Sequence, residues 1–246
     1  MTKLITLLSL FTTMIALGQS KPPSHQIWST LLKKHVSTNG IVNYKGFISD
    51  STQLFRYLKI LSENKPDEKL WSADEQKAYW INAYNAFTIK LIINYYPVKS
   101  INDIARKLQI PTASSVWDVK FIKIGKDIYD LNEIEHIQLR KKFGDGRFHF
   151  ALVCASKSCP ILLNEAYTSE KLEAQLNAQA KVFLKDKSRN EISAVKSKLS
   201  KIFDWYAMDF NSKGVTIIEF INMYSAVKIT INTRITYLDY SWELNE

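Results

Sequence analysis

The fold class predicted for this 246-residue chain is a helix-rich α+β single domain with a small antiparallel sheet. Three observations carry it. Apolar residues recur at i, i+3, i+4 and i+7 in one stretch after another, the pattern of amphipathic helices. Strand candidates are few and short, and two of them flank Gly125-Lys126, a Gly-first tight turn. No internal repeat and no linker-like composition interrupts the chain after residue 24, so one domain is expected. With 46% hydrophobic and 12% aromatic residues, the collagen-like, low-complexity and wholly disordered classes are excluded. A charged fraction of 23% excludes a multi-span membrane protein. The net charge of +9 is spread through amphipathic segments rather than gathered in runs, which predicts a solvated basic surface and no nucleic-acid partner.

The elements follow in order. Residues 1–18 have the make-up of an export signal: Lys3, an apolar run over 4–17, and Ala16 and Gly18 at the minus-three and minus-one positions of a cut before Gln19. The run is short for a bilayer, no Cys follows for a lipid anchor, and no later run approaches spanning length. An exported protein, periplasmic or secreted, without a transmembrane anchor, is expected, with its globular domain over 19–246. Ile27, Trp28, Leu31, Leu32 and Val36 make the first helical stripe, stopped by Asn39-Gly40, and 41–44 reads as a short strand. Leu54, Tyr57, Leu58 and Leu61 form the stripe of a second helix after Asp50. Ser72 and Glu75 have capping-box spacing and open a long helix through Ala78, Trp80, Ile81, Tyr84, Phe87, Leu91 and Ile92, ending before Pro97. A short helix over 103–109 precedes the Gly125 hairpin. Asp130 and Glu133 repeat the capping pattern ahead of a helix over 131–142, broken by Gly144-Asp145-Gly146. The apolar run 148–154 predicts a buried strand. Leu172, Leu176, Ala180 and Phe183 give 169–185 a helical core face; 202–206 is aromatic-rich, 216–225 predicts a last helix, and 235–242 a strand or extended tail.

Three constellations carry chemistry. Glu75, Asn82 and Asn85 project from one side of the long, otherwise apolar helix, a row that needs partners. Either Glu75 caps the helix and the asparagines bond backbone, or the row lines a polar cleft together with His136. Glu135 and His136 lie on the helix opened by Asp130, with His136 projecting near Glu133 and Arg140. The stretch 148–160 ends a strand in Cys154, then a polar loop with Ser156, Cys159 and Pro160. Strand alternation turns His149 away from Cys154, which leaves His136 as the base candidate. A Cys154–Cys159 disulfide closing the loop is the competing reading, permitted by export. Two cysteines are too few for a disulfide scaffold or a Cys-only zinc site, and a metal site through His136, His149 and carboxylates is the weakest signal, so no metal or other cofactor is expected.

Five ordered motifs resemble the family catalogued as domain of unknown function 547: EQKAYWINAYNAFTI over 75–89, LNEIEHIQLR over 131–140, HFALVCASKSCP over 149–160, LSKIFDWY over 199–206 and YLDYSWELN over 237–245. The resemblance runs from about residue 40 to the C-terminus. That family occurs in bacteria and plants and has no settled activity. The resemblance implies importance for Glu75, Trp80, Asn82, Tyr84, Asn85, Glu135, His136, Arg140, Cys154, Ser156, Cys159 and Pro160. Ile161 departs from it, standing where the family usually has a second Pro. Members without export signals exist, so the resemblance weighs against an obligatory disulfide and toward a reactive cysteine, with both readings open.

Two function classes follow. The first is a cysteine-dependent hydrolase or acyl transferase, organised like the papain and transglutaminase folds, although those place the nucleophile at a helix start rather than a strand end. Cys154 would be the nucleophile, His136 the base, Glu75 or Glu135 the group orienting the imidazole, and Asn82 or the Ser156 loop the oxyanion donor. The second is a non-catalytic module with a Cys154–Cys159 disulfide, whose cleft near Trp80, Asn82, His136 and Trp205 holds a small molecule, peptide, glycan or partner protein.

Overall fold

Trp28, Leu31 and Leu32 line the buried side of helix α1 (Gln26–His35), the first element of a computed structural model that describes residues 21–108, 115–212 and 214–246. The predicted export signal over 1–18 lies outside the described residues. Helices α2 (Tyr44–Ser49) and α3 (Ser51–Glu63) follow, and α3 buries Leu54, Tyr57, Leu58 and Leu61 as its stripe predicts. The expected strand over 41–44 is reduced to a single bridge between Val36 and Val42, because Asn43 caps α2 by accepting the Gly46 amide.

Helix α4 (Ala73–Tyr95) runs through the middle of the molecule. Ser72 accepts the Glu75 amide and Glu75 accepts the Ser72 amide, so both halves of the predicted capping box are made. From Ala78 to Ile89 every side chain is buried, which is the state expected of a helix apolar on all faces. It packs against α2, α3 and the helix that follows the hairpin. After α5 (Asn102–Leu108) and a 3-10 turn (Val116–Asp118), strands β1 (Ile122–Ile124) and β2 (Asp127–Tyr129) pair antiparallel around Gly125, whose φ of +62° fits the Gly-first turn.

The next helix departs from expectation in register. Asp130 and Glu133 form the second capping box around α6 (Leu131–Glu133), but 134–141 then continues as a π-helix (Ile134–Lys141). The run expected to be a strand is a 3-10 helix (Gly146–Phe150) followed by irregular chain. Its physical reason lies in the packing: Phe148 belongs to the large core around α4, whereas Phe150 belongs to a second, smaller core. A tight helical turn points two residues of the same parity into two cores, which a flat strand does not.

That second core is a phenylalanine cluster. Phe150 lies 4.8 Å from Phe183, Phe203 4.8 Å from Phe210, and Phe210 4.9 Å from Phe220 between ring centroids. It is enclosed by α7 (Leu172–Lys185), α8 (Ile202–Trp205), α9 (Ala207–Phe210) and α10 (Ile217–Tyr224). Helix α7 joins the two cores, giving Leu172 and Leu176 to one and Ala180, Phe183 and Leu184 to the other. Strands β3 (Lys196–Leu199) and β4 (Arg234–Tyr237) pair in parallel, so the predicted antiparallel hairpin is accompanied by a parallel pair that periodicity did not indicate.

The C-terminal segment ties these parts together. The Val42 amide donates to Asn245, the Leu244 amide to Lys99, the Asn245 amide to Ala155, and the Lys157 amide to Glu243, with N–O distances from 2.7 to 3.2 Å. The Tyr44 hydroxyl reaches the Asn245 side chain at 2.7 Å. Among the described residues no helix is long and apolar enough to cross a membrane.

Candidate functional site

The seam between the two cores holds a cleft of about 80 Å³, walled by Trp117, Trp205, Tyr206, Tyr240 and Trp242 and floored by Glu135, His149 and the two cysteines. The rings support one another. Tyr240 lies 4.6 Å from Trp242 and 4.9 Å from Trp205, and Trp117 lies 5.4 Å from Trp242. Trp205 is 46% exposed, so this wall is reached from solvent.

Cys154 and Cys159 are joined in a disulfide. The Cys154 amide donates to Sγ of Cys159 at 2.9 Å, and the Tyr240 hydroxyl lies 3.3 Å from each sulfur. Ser156 donates to that hydroxyl at 3.1 Å, and its own oxygen lies 3.3 Å from Sγ of Cys154. Burial pushes the Tyr240 phenol up to about 12 against the lowering effect of the Ser156 hydrogen bond, so it stays protonated over the sulfurs. Between Cys154 and Ser156, buried Ala155 sits at φ +63°, a left-handed conformation that costs a non-glycine residue on the order of 1 kcal/mol. The backbone bonds of 155 and 157 to the C-terminal segment hold it there.

His149 is where the strand expectation fails most consequentially. Because 146–150 is a 3-10 turn, His149 faces the same cleft as Cys154 rather than the opposite side. Its Nε2 lies 2.6 Å from Asp209 Oδ2, its Nδ1 lies 3.7 Å from Glu135, and its ring stacks on Tyr206 at 3.9 Å. Arg140 Nε donates to the same Asp209 oxygen at 2.5 Å, and its guanidinium lies 4.9 Å from the Tyr206 ring centre. Burial works to raise the Asp209 carboxyl. The hydrogen bonds and charges of His149 and Arg140 together outweigh it and hold that carboxyl well below the usual carboxylate range. Burial, and then the adjacent Glu135 carboxylate, push the Tyr206 phenol far up.

The other predicted residues are placed as follows. His136 bonds Arg140, as its projection suggested, but does not line the cleft. Glu75 caps α4 and borders a separate surface depression with His25 and Glu170. Asn82 takes both polar groups of the Tyr167 backbone, at 2.8 and 3.0 Å. Asn85 clamps the Ala151 carbonyl and the Val153 amide, at 2.9 and 3.0 Å. The expected polar cleft joining Glu75, Asn82, Asn85 and His136 is therefore corrected: the asparagines are spent on buried backbone, which cannot be left unpaired. Trp80 lies in the aromatic core between Tyr79 and Tyr129, away from the cleft. Tyr206, Tyr240 and Trp242 stand in the motifs 199–206 and 237–245 without a role given to them there, whereas Trp117 and Asp209 lie outside every motif, and the partners of Asp209 lie tens of residues away. Among the described residues no group of three or more His, Cys, Asp or Glu is placed to hold a metal ion.

A helix-rich α+β domain with an aromatic-walled, disulfide-floored cleft is the class that fold and site define. Residues 69–184 match the family described as "Protein of unknown function, DUF547". No curated protein and no solved structure matches the chain. The matched segment carries Glu135, His149, Cys154 and Cys159, whereas Trp205, Tyr206, Asp209, Tyr240 and Trp242 lie beyond it.

Proposed function

We propose that the protein is an exported, non-catalytic binding module whose aromatic cleft receives a small polar group, presented free or at the tip of a peptide or glycan. The observation that supports this most is the closed Cys154–Cys159 bond beneath Tyr240, which occupies both sulfurs while leaving the tryptophan wall open. Flat, rigid rings offer contact area with little ordering cost, and buried acceptors fix orientation. Native protein is expected to take up no iodoacetamide before denaturation and reduction. In a screen of short peptides and oligosaccharides followed by tryptophan fluorescence, Trp205→Ala should lose at least tenfold in affinity for any ligand found. Rapid labelling of native protein as isolated would overturn the disulfide part of this reading.

A second reading is favoured by His149 sharing the cleft with Cys154 while Asp209 holds its far nitrogen. A dithiol reductant, giving two electrons and two protons, would leave two thiols and its own disulfide. Cys154 would then attack an acyl carbon as thiolate, its proton passing to His149 and from there to the leaving group. In this form the base is His149 instead of His136. In reduced protein His149→Ala, and not His136→Ala, should slow Cys154 alkylation about tenfold or more. Equal labelling of all three proteins removes this reading.

A further inference from the structure

We propose that the cleft recognises a compact organic ammonium group, such as the head of an amine or of a lysine side chain. This names the ligand class of the binding site proposed above and rests on that reading. Four observations converge on it.

Glu135 is 6% exposed and faces the cleft, yet no lysine or arginine bridges it among the described residues. It is hydrogen-bonded by the Tyr206 phenol and lies 3.7 Å from His149, a ring committed at 2.6 Å to Asp209. Arg140, the cation of this corner, is likewise taken up by Asp209 and His136. A neutral phenol and an imidazole committed elsewhere leave this buried carboxylate hydrogen-bonded but without a full counter-charge, which an entering cation supplies.

The walls fit the same chemistry. Trp117, Trp205, Trp242 and Tyr240 present π-faces and edges around the opening, and the negative faces of such rings attract cations more strongly once water is excluded. Volume narrows the choice further. The cleft's inner space of about 80 Å³ suits a head of a few heavy atoms. Anions are disfavoured, because an incoming negative charge meets Glu135, two sulfurs, and a His149–Arg140 pair already turned to Asp209.

The test uses the full chain with its disulfide intact. Tetramethylammonium and its neutral analogue 2,2-dimethylpropan-1-ol are titrated by calorimetry and tryptophan fluorescence. The ammonium should bind saturably and at least tenfold tighter than the alcohol. Glu135→Gln, which preserves shape, should remove most of that preference, and Trp205→Ala, at an exposed ring, should weaken ammonium binding at least tenfold without affecting folding. A second arm distinguishes the source: a capped lysine peptide competing better than free amine, and failing once its lysine is Nε-acetylated, identifies a side-chain ligand. Equal binding of ammonium and alcohol, or ammonium binding unchanged in both variants, overturns the assignment. If neutral peptides or sugars bind the cleft while ammonium does not, the cation class falls and the binding module stands. If nothing binds the cleft, or if Trp205→Ala is silent for every ligand that does bind, both fall.

Discussion

Asn85 shows how one side chain sets the position of the cysteine loop. Its amide holds the Ala151 carbonyl and the Val153 amide on the approach to Cys154. Asn85→Ala leaves both buried groups unpaired and should cost about 3 kcal/mol in urea unfolding, at roughly 1–3 kcal/mol for each orphaned group. Asp209 gives a pH signature. Its folded-state carboxyl lies below its ordinary value, so its contribution is fully present above that ordinary value and is lost as pH falls through the depressed folded value. Asp209→Asn should therefore be less stable than the parent at neutral pH, with the gap closing as both are acidified below pH 4 in unfolding titrations. At this scale the sequence was half legible. Cys154, Cys159, Glu135 and His149 stand in recognisable motifs. Asp209 carries no local mark, because its meaning comes from a histidine sixty positions earlier.

Elements were read well where their signals are local and poorly where packing decides. The Ser72–Glu75 and Asp130–Glu133 boxes are each complete within four residues, so their helices begin where predicted. The π-register of 134–141 changes no composition and breaks no periodicity that a short window detects, yet it accompanies the burial of Glu135. The apolar run 148–154 predicts a strand, yet its first residues close a 3-10 turn over 146–150, because an apolar run of that length suits either state. A further element-scale consequence sits at Gly40, which has φ +75° and approaches Ile161 so closely that an added Cβ would lie 2.4 Å from the Ile161 Cβ. The chain after Pro160 is thus seated against the turn that stops α1. Gly40→Ala combines left-handed strain with overpacking and should destabilise by about 2–4 kcal/mol, read by chemical denaturation.

At the scale of the whole molecule, two cores are joined by α7 and by the C-terminal segment, and the cleft lies on their seam. The Cys154–Cys159 loop closes only a short ring, so its effect on the unfolded chain is modest. Reduction should lower global stability by about 2 kcal/mol, and a dithiothreitol-treated sample compared with an untreated one in urea measures it. The helix-rich α+β class was legible because it follows from periodicity and composition, while the seam was not, since it depends on which helix meets which.

Bonds from residues 243–245 to residues 42, 99 and 155, and from residue 157 to residue 243, have a consequence in time. Tyr44 waits for a partner 201 positions downstream, and Tyr240 and Trp242 reach the ribosome's exit after every other part of the cleft. Contacts this distant along the chain are slow to form. The helices around α4 can gather first, but the aromatic wall is assembled last, so a nascent or C-terminally clipped chain presents the sulfurs of Cys154 and Cys159 without Tyr240 over them.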